Sequence, residues 1–282
     1  MLAKILFTIF NINMRIMPIN TYQTQKPDFK SCFRIYSSKS LNNNCFGKDT
    51  IRTSTNLFRE DLDWFGLAVF AKKHFAQKDK VKVCSLACSD GSEAYTFAIS
   101  LIENLPAEIL QKFFPIKASD IDSKVINFAK RKRINIEPIE FFLPGKRYEC
   151  DLGKYFIDRK ASVVLSGDAN SETDMIFSYK PIHKLADAVT FHKSDILTEI
   201  NKLEDDGNSI IMCRNVFPYL NEKYIDEVLN CAKNKLKEGS LFVIGDYDSH
   251  ANIEPKLHKN GFYQPLTLKS RFINCENVFE KT

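Results

Sequence analysis

Two short acidic segments carry the residues of this chain whose types and spacing could do chemistry. Residues 81–93, VKVCSLACSDGSE, form an apolar stretch that ends in a turn of small residues with one glycine, followed by Glu93. Residues 116–120, IKASD, form a second apolar stretch that ends in Asp120. The spacing from Gly91 to Asp120 suits one crossover helix between two parallel strands. Such a unit presents turn N–H groups and a carboxylate to a nucleotide, the carboxylate on its ribose.

The composition of the turn favours a cationic ligand over a phosphate. The dinucleotide fingerprint needs three glycines so that the backbone can approach a pyrophosphate. This turn has only Gly91, and Asp90 and Glu93 would repel phosphate. S-adenosylmethionine (SAM) carries a sulfonium and an α-ammonium group and no phosphate, so the sequence favours SAM over NAD as the cofactor. The alternative is an ordinary strand–turn–helix with a solvated acidic edge.

Alternating apolar runs predict the elements that must position these residues. The predicted strands are 81–87, 115–119, 188–192, 208–213 and 240–246, and the predicted helices are 57–75, 92–104, 122–133 and 221–237. Two terminal runs, 262–268 and 273–280, are too close for a crossover helix and should pair antiparallel. The sequence therefore predicts an α/β fold with a Rossmann-like, mostly parallel sheet and an antiparallel terminal hairpin, a common topology of class I methyltransferases.

Domain organisation follows from where this alternation fails. Residues 1–50 are rich in Asn, Ser, Lys and Thr and are predicted to be mostly irregular, whereas 51–282 should form one SAM-binding domain. Within it, 134–187 is punctuated by Pro and Gly and is predicted to be a small β-containing insertion. Its two β-like runs, 161–165 and 175–179, are predicted to form a hairpin.

Composition excludes some function classes. The net charge of +5 over 282 residues is mild, whereas nucleic-acid binding shows a stronger and clustered basic surplus. The dense basic run 130–133 should complement a helix C-terminus, the alternative being a patch for an acidic substrate. The eight cysteines include no C-x-x-C pair, which argues against a zinc or thioredoxin-like site, and no metal is expected.

The chain is predicted to be cytoplasmic. Cys84, Cys88 and Cys213 fall in or beside predicted core strands, where they act as small apolar residues, and a reducing compartment suits them. The N-terminal run 1–17 has one Lys and a brief apolar stretch, without a clear small-residue cleavage site. It is too short to span a bilayer. Neither export nor membrane insertion is expected, and Met14 and Met17 are alternative starts.

Four separated motifs together resemble the CheR family, the chemotaxis-receptor glutamate methyltransferases. Residues 53–60, TSTNLFRE, resemble the family's T-x-N-x-T-x-F-F-R-[ED] element, and 88–95, CSDGSEAY, resemble its turn C-S-T-G-E-E-P-Y. Residues 118–122, ASDID, match outright, and 213–220, CRNVFPYL, resemble C-R-N-V-L-I-Y-F. The order and spacing are those of the family, and the resemblance extends from about residue 50 to the C-terminus.

The resemblance implies roles for individual side chains. The residues that correspond to cofactor-binding positions are Thr53, Thr55, Arg59, Glu93, Asp120, Asp195, Ile196, Arg214 and Asn215. Glu93 would accept the ammonium group, Asp120 the ribose hydroxyls, and Asp195 would contact the adenine. Arg59 and Tyr219 would act at the methyl end as catalytic residues, because Arg can orient a carboxylate through its planar fork. The alternatives are structural: a helix-dipole partner for Glu93, a turn for Asp195, a solvated charge for Arg59 and a packing aromatic for Tyr219.

These residues predict a SAM-dependent O-methyltransferase that acts on glutamate carboxylates of an acidic protein, such as the cytoplasmic helices of a chemoreceptor. Two other functions stay open. A binding module without turnover would fit the altered turn at 90–92, Pro218 before Tyr219 and a segment 1–50 too short for the family's helical domain. A class I methyltransferase on RNA or a small molecule would fit the basic run 130–133.

Overall fold

The elements of the fold lie in residues 34–37, 52–163, 175–265 and 276–282, which the computed structural model describes. The strands are β1 (Arg34–Ser37), β2 (Arg52–Thr55), β3 (Lys82–Leu86), β4 (Ile116–Asp120), β5 (Ile134–Ile136), β6 (Phe156–Val163), β7 (Met175–Pro181), β8 (Val189–Lys193), β9 (Ser209–Cys213), β10 (Leu241–Val243), β11 (Phe262–Tyr263) and β12 (Val278–Lys281). The helices are α1 (Trp64–His74), α2 (Ser92–Asn104), α3 (Ala107–Phe113), α4 (Ser123–Ala129), α5 (Pro138–Tyr148), α6 (His183–Asp187), α7 (Ile196–Asn201), α8 (Glu222–Lys235) and α9 (Ile253–Lys259).

A seven-stranded sheet with the order β11-β12-β10-β9-β3-β4-β8 carries the site. Strands β8, β4, β3, β9 and β10 run parallel, and β12 pairs antiparallel with both β10 and β11. This confirms the predicted sheet and its terminal hairpin. The hairpin strands are shorter than predicted, and residues 266–275, where the prediction placed their inner ends, lie outside the described residues.

The path of the chain through this sheet creates a crevice. From β3 the chain moves outward through β4 to β8, and then returns to the other side of β3 to form β9. Ligands of open α/β sheets bind where the strand order reverses in this way, outside the carboxyl ends of the strands. The carboxyl ends of β3 and β9 therefore border the expected site.

Both faces of the sheet are covered by apolar side chains. Alternate residues of a strand point to opposite faces, so Val83 of β3 lies in one buried cluster with helices α1 and α2, whereas Cys84 lies in a second cluster with α8 and α9. Cys84, Cys88 and Cys213 are buried thiols, as predicted. None of the helices in the described ranges is long and apolar enough for a membrane span.

The helix predicted at 57–75 begins only at Trp64. Asp63 caps it, because its carboxylate accepts a hydrogen bond from Gly66 N at 3.0 Å. The preceding residues form turns instead, since helical spacing of apolar residues also occurs in a folded loop that packs on the core. Because the helix begins later, the segment that contains Arg59 is not helical and can lie along the edge of the sheet.

The insertion is more regular than predicted. Strands β6 and β7 form the predicted antiparallel hairpin, and β5 extends it to a three-stranded sheet in the order β5-β7-β6. Helix α5 departs from the prediction, in which Pro138 and Pro144 interrupt regular structure. Pro138 occupies the first turn, where no intrahelical N–H is lost, and Pro144 lies inside the helix.

The basic run 130–133 follows helix α4, which ends earlier than predicted, at Ala129. Lys132 pairs with Asp187 at 3.1 Å, and Arg133 pairs with Asp158 at 2.8 Å while its guanidinium also donates to Ser178. Part of the run is thus engaged by neighbouring elements of the insertion rather than only complementing the helix end.

Candidate active site

A cavity with about 360 Å³ of empty space, part of it continuous with solvent, lies at the edge formed by the carboxyl ends of β3 and β9. The residues that line it are Thr55, Asn56, Arg59, Trp64, Ala87, Cys88, Ser89, Glu93 and Arg214. The structure therefore brings together, from three distant segments, the predicted residues Thr55, Arg59, Glu93 and Arg214. Thr53 lies in β2, two residues before Thr55.

The turn after β3 forms one wall of the cavity. Ala87, Ser89 and Gly91 all have left-handed backbone conformations. At Gly91, with φ of 91°, a Cβ would lie 2.5 Å from Cε1 of Phe191, so the turn requires glycine there. The tight path carries the chain directly into helix α2, which begins with Ser92 and places Glu93 in its first turn.

Asp120 lies at the carboxyl end of β4, behind this turn. Its Oδ2 accepts a hydrogen bond from Ser89 N and its Oδ1 accepts one from Asp122 N, both at 2.9 Å. Burial raises the pKa of Asp120 to about 6, although these N–H groups oppose the rise. Asp120 is not among the residues that line the cavity, but it adjoins it through Ser89. Its predicted contact with a ribose stays a prediction.

Arg214, directly after β9, is a buried cation between two carboxylates. It donates to Oδ1 of Asp61 through Nη2 and to Oε2 of Glu93 through Nη1 at 3.2 Å. Its guanidinium lies over the ring of Trp64, 4.5 Å from the centroid, and its side chain is 1% exposed. Burial acts to lower the pKa of Arg214, but the charges of Asp61 and Glu93 outweigh it and hold the pKa above its ordinary value.

Glu93 has both carboxylate oxygens engaged within the protein. Oε1 accepts a hydrogen bond from Ser85 Oγ at 2.8 Å, and Oε2 accepts the one from Arg214. Burial raises the pKa of Glu93, and the charge of Arg214 opposes this rise. The carboxylate borders the cavity as predicted, but part of its charge is already compensated by Arg214.

The predicted catalytic pair lies in the same electrostatic environment. Arg59 lines the cavity, and burial lowers its pKa, an effect that Asp61 opposes and Arg214 reinforces. Ionisation of Tyr219 would act to raise the pKa of Arg59, so the two side chains lie near each other. Tyr219 ends a 3-10 turn, Phe217–Tyr219, and its ring centroid lies 5.9 Å from that of Tyr247.

Asp61 is a site residue that the sequence reasoning missed. Besides Arg214, it accepts hydrogen bonds at 3.2 Å from Asn215 Nδ2 and from Asp246 N. Burial acts to raise its pKa, but the charges of Arg214 and Arg59 hold the pKa below its ordinary value. The available signal was its place two residues after Arg59, in the same motif.

Asp248 is a second missed residue, and it fixes the loop after β9. Its carboxylate accepts hydrogen bonds from the backbone N–H groups of Asn215 at 2.6 Å, Gly245 at 2.8 Å and Phe217 at 3.0 Å. Burial raises the pKa of Asp248 to about 6. Its position a few residues after β10, at the same edge of the sheet as Asp120, was the sequence signal that could have found it.

Three other predicted residues lie outside the cavity lining. The side chain of Asn215 is held by Asp61 and by Tyr247 N, which donates to its Oδ1 at 3.1 Å. Asp195 caps helix α7, accepting from Thr198 N at 2.9 Å, and Ile196 is buried in the second apolar cluster. The structure thus gives Asp195 the role of a helix cap, and its contact with adenine stays a prediction.

The polar groups of the cavity fit a polar, cationic ligand. Four buried polar atoms find no hydrogen-bond partner among the described residues: Asn56 Oδ1, Ser89 Oγ, Tyr95 OH and Ser119 Oγ. Two of them, on Asn56 and Ser89, belong to residues that line the cavity. Buried polar atoms without partners are costly, and a bound ligand with ammonium and hydroxyl groups would satisfy them. In the described ranges, no group of three or more His, Cys, Asp or Glu side chains could hold a metal ion.

Comparisons with known proteins identify the family of this chain. The family model described as CheR methyltransferase, SAM binding domain, matches residues 53–141 and 171–261. Chemotaxis protein methyltransferase 2 of Vibrio cholerae is 25% identical over 198 residues, which are 67% of this chain and 61% of that protein. The chemotaxis protein methyltransferase of Borreliella burgdorferi is 29% identical over 173 residues, which are 60% of this chain and 53% of that protein.

The chain spans less than two thirds of the length of these two curated relatives. Among solved structures, a TehB-like SAM-dependent methyltransferase from Corynebacterium glutamicum aligns with 77% of this chain and 84% of its own, at 10% identity and a TM-score of 0.35, too low a similarity to support an argument. The family match, in contrast, covers more than half of the chain and includes the turn after β3, Asp120 and the loop after β9. The chain therefore belongs to the family of CheR methyltransferase SAM-binding domains, whose cofactor is SAM.

Proposed function

We propose that the chain is a SAM-dependent O-methyltransferase that transfers a methyl group to glutamate side chains of an acidic protein. Its family membership and the cavity at the carboxyl edge of the sheet support the cofactor. The observation that carries the proposal is the position of Arg59, which lines that cavity within electrostatic reach of Tyr219. A cationic fork and a phenolic hydroxyl together suit an acceptor that is a carboxylate.

The proposed methyl transfer requires little acid–base catalysis from the protein. A glutamate carboxylate is already ionised at neutral pH, so no strong general base is required, and SAM supplies the activated methyl group. The protein must hold the acceptor oxygen in line and at close distance. In the proposal, Arg59 and Tyr219 orient the acceptor, while Glu93 and Asp120 contribute to holding the cofactor.

The fixed framework around Arg59 supports this division of roles. Arg214 is engaged by two protein carboxylates, Asp61 and Glu93, so its charge serves to build the site. The main chain of Arg59 is held in turn, because its carbonyl accepts a hydrogen bond from Trp64 Nε1 at 2.8 Å. A pre-positioned Arg loses less conformational freedom when it binds a carboxylate.

The substrate class and the location are parts of the same proposal. The curated relatives are named chemotaxis protein methyltransferases, which supports acidic helices of a chemoreceptor as the acceptor and a cytoplasmic location. One of the substitutions that separate this chain from the family's motifs, Pro218, is the second residue of the 3-10 turn that ends in Tyr219. Proline is tolerated in the first turn of a helix, where its missing N–H removes no intrahelical hydrogen bond, so the altered motif is compatible with turnover.

A transfer assay tests the proposal. The purified protein is incubated with methyl-labelled SAM and peptides from chemoreceptor cytoplasmic helices, and base-labile label is counted as methyl ester. Arg59→Lys keeps the charge but loses the planar fork, so we expect transfer to fall by more than the affinity for SAM. The matched control is Arg131→Lys, at an exposed position after α4, which should leave both quantities unchanged.

Two outcomes would contradict the proposal. Tight SAM binding measured by calorimetry, together with no ester on any acidic helix, would favour a binding module without turnover. Base-stable label on RNA or on a small molecule would assign a different acceptor. An equal loss of transfer and of SAM affinity in Arg59→Lys would make that arginine a structural residue of the cofactor site.

A further inference from the structure

Among the described residues, two that line the cavity carry a buried polar atom without a partner, and one of them, Asn56, has no assigned role. Asn56 lines the cavity beside Arg59 and Glu93, and its Oδ1 is buried without a hydrogen-bond partner among the described residues. A buried carbonyl oxygen left in this state costs free energy comparable to a lost hydrogen bond. An unsatisfied polar atom of this kind at a cavity wall indicates a ligand that carries a donor.

Hydrogen bonds of the neighbouring residues hold the main chain at Asn56 in place. On its C-terminal side, Leu57 N donates to Glu140 Oε1 at 2.7 Å and Phe58 N donates to Thr96 Oγ1 at 3.0 Å, so two successive peptide groups are tied to helices α5 and α2. On its N-terminal side, strand β2 ends at Thr55, which also lines the cavity. Asn56 is therefore a fixed part of the wall.

The carboxylates that could take an ammonium group are already engaged. Both oxygens of Glu93 accept hydrogen bonds, from Ser85 and Arg214. Asp61 is bound by Arg214, Asn215 and the Asp246 main chain. An ammonium group has three N–H donors, and its burial requires acceptors for them.

We propose that Oδ1 of Asn56 accepts a hydrogen bond from the α-ammonium group of SAM, beside Glu93. This inference deepens the proposed function and rests on the SAM site described above. It assigns Asn56 to the methionine end of the cofactor. Ser89 is assigned to the ribose end, because its main-chain N–H donates a hydrogen bond to Asp120. The proposal makes Asn56 a residue that distinguishes cofactors with an amino group from those without one.

Calorimetry with three ligands tests this assignment without any turnover. The ligands are S-adenosylhomocysteine, its des-amino analogue and 5′-methylthioadenosine, which lacks the whole amino-acid end. We expect Asn56→Ala to weaken S-adenosylhomocysteine roughly 10- to 100-fold, the range for a lost hydrogen bond to a charged group. The same substitution should not change the affinity for the other two ligands.

A second variant tests whether the side chain of Asn56 acts as a hydrogen-bond acceptor or as a donor. Asn56→Asp keeps the size of the side chain and adds a negative charge, so we expect it to bind S-adenosylhomocysteine at least as tightly as the wild type, because a charged acceptor strengthens a hydrogen bond to an ammonium group. The matched control is Asn104→Ala, at the far end of helix α2, where the amide donates to Ser100 O. Thermal unfolding of each variant confirms that it is folded.

Three results would overturn the inference. These are an unchanged affinity of Asn56→Ala for S-adenosylhomocysteine, an equal loss for all three ligands, and a loss in Asn56→Asp as large as that in Asn56→Ala. Each of them leaves wild-type binding intact, so the proposed function would stand. Failure of the wild-type protein to bind S-adenosylhomocysteine would instead overturn the proposed function itself, and this inference with it.

Discussion

Asp248 offers the sharpest test of how the site is held together, because its carboxylate joins the loops after β9 and β10. We predict that Asp248→Asn changes the pH dependence of stability and lowers methyl transfer. The substitution keeps the shape of the side chain but replaces one acceptor oxygen with an NH₂ group. If the amide oxygen takes the place of Oδ2, it keeps the N–H groups of Asn215 and Gly245, and Phe217 N then faces a second donor.

The change in the free energy of unfolding caused by Asp248→Asn has two opposing parts. The buried N–H of Phe217 loses its acceptor, which costs about 1–3 kcal/mol. Against this, the ionised carboxylate of the wild type is itself costly, because burial raises the pKa of Asp248 from 3.8 to about 6. At 1.36 kcal/mol per pKa unit, the charge removes about 3 kcal/mol of wild-type stability at neutral pH. Near pH 7 the two effects largely cancel.

The direction in which the free energy of unfolding changes with pH follows from proton binding. Between the unfolded pKa of 3.8 and the folded pKa of about 6, the folded protein binds more protons at Asp248 than the unfolded chain, so the free energy of unfolding falls as the pH rises. Asp248→Asn has no such group. We therefore expect the stability of the wild type relative to the variant to fall by about 2–3 kcal/mol between pH 4 and pH 7.

Urea unfolding of both proteins at several pH values measures this difference. The matched control is Asp79→Asn, at an exposed position between α1 and β3. Parallel stability curves for wild type and Asp248→Asn would refute the reasoning, because they would mean that the buried carboxylate does not titrate as its environment requires. At pH 7, transfer activity should fall in Asp248→Asn, since Phe217 begins the turn that carries Tyr219.

Three further substitutions probe the walls of the site. Gly91→Ala should destabilise the protein by about 2–5 kcal/mol in urea unfolding, because it combines a left-handed backbone with a clash against Phe191; wild-type stability would contradict this. Glu140→Ala removes the acceptor of two N–H groups, those of Leu57 and Glu137, each at 2.7 Å, and should cost about 3–6 kcal/mol, whereas a loss below 1 kcal/mol would show that the insertion does not hold the Arg59 segment. Asp120→Ala should weaken SAM binding by about 1–3 kcal/mol in calorimetry, and an unchanged affinity would remove its assigned role.

The parts of the site that the sequence predicted are those that follow regular strands. The turn at Gly91 and the position of Asp120 could be predicted, because each comes directly after a short apolar run, and carboxyl ends of parallel strands share one edge of a sheet. The approach of Arg59 to this edge was predicted only by resemblance. No local pattern indicates that a segment before α1 packs against the ends of β3 and β9.

Asp248 was missed for a physical reason that concerns its partners. Asp248 binds backbone N–H groups, which every residue except proline possesses, so the identity of those partners leaves no mark in the sequence. Helix α5 was missed because proline at a first turn resembles proline in a loop. Asp195 shows a signal that fits two roles, since an acidic residue after a strand suits a ligand contact and a helix cap equally well.

The charges around the cavity explain how a site rich in arginine can hold a cation. Asp61 and Glu93 balance Arg214 and Arg59, and Asp120, whose pKa of about 6 leaves it largely ionised at neutral pH, adds one further negative charge. SAM carries a single net positive charge, which this surplus of carboxylates offsets. In the proposed function, orientation by Arg59 rather than attraction by a basic surface selects the acceptor, which is consistent with the modest net charge of +5 of the chain.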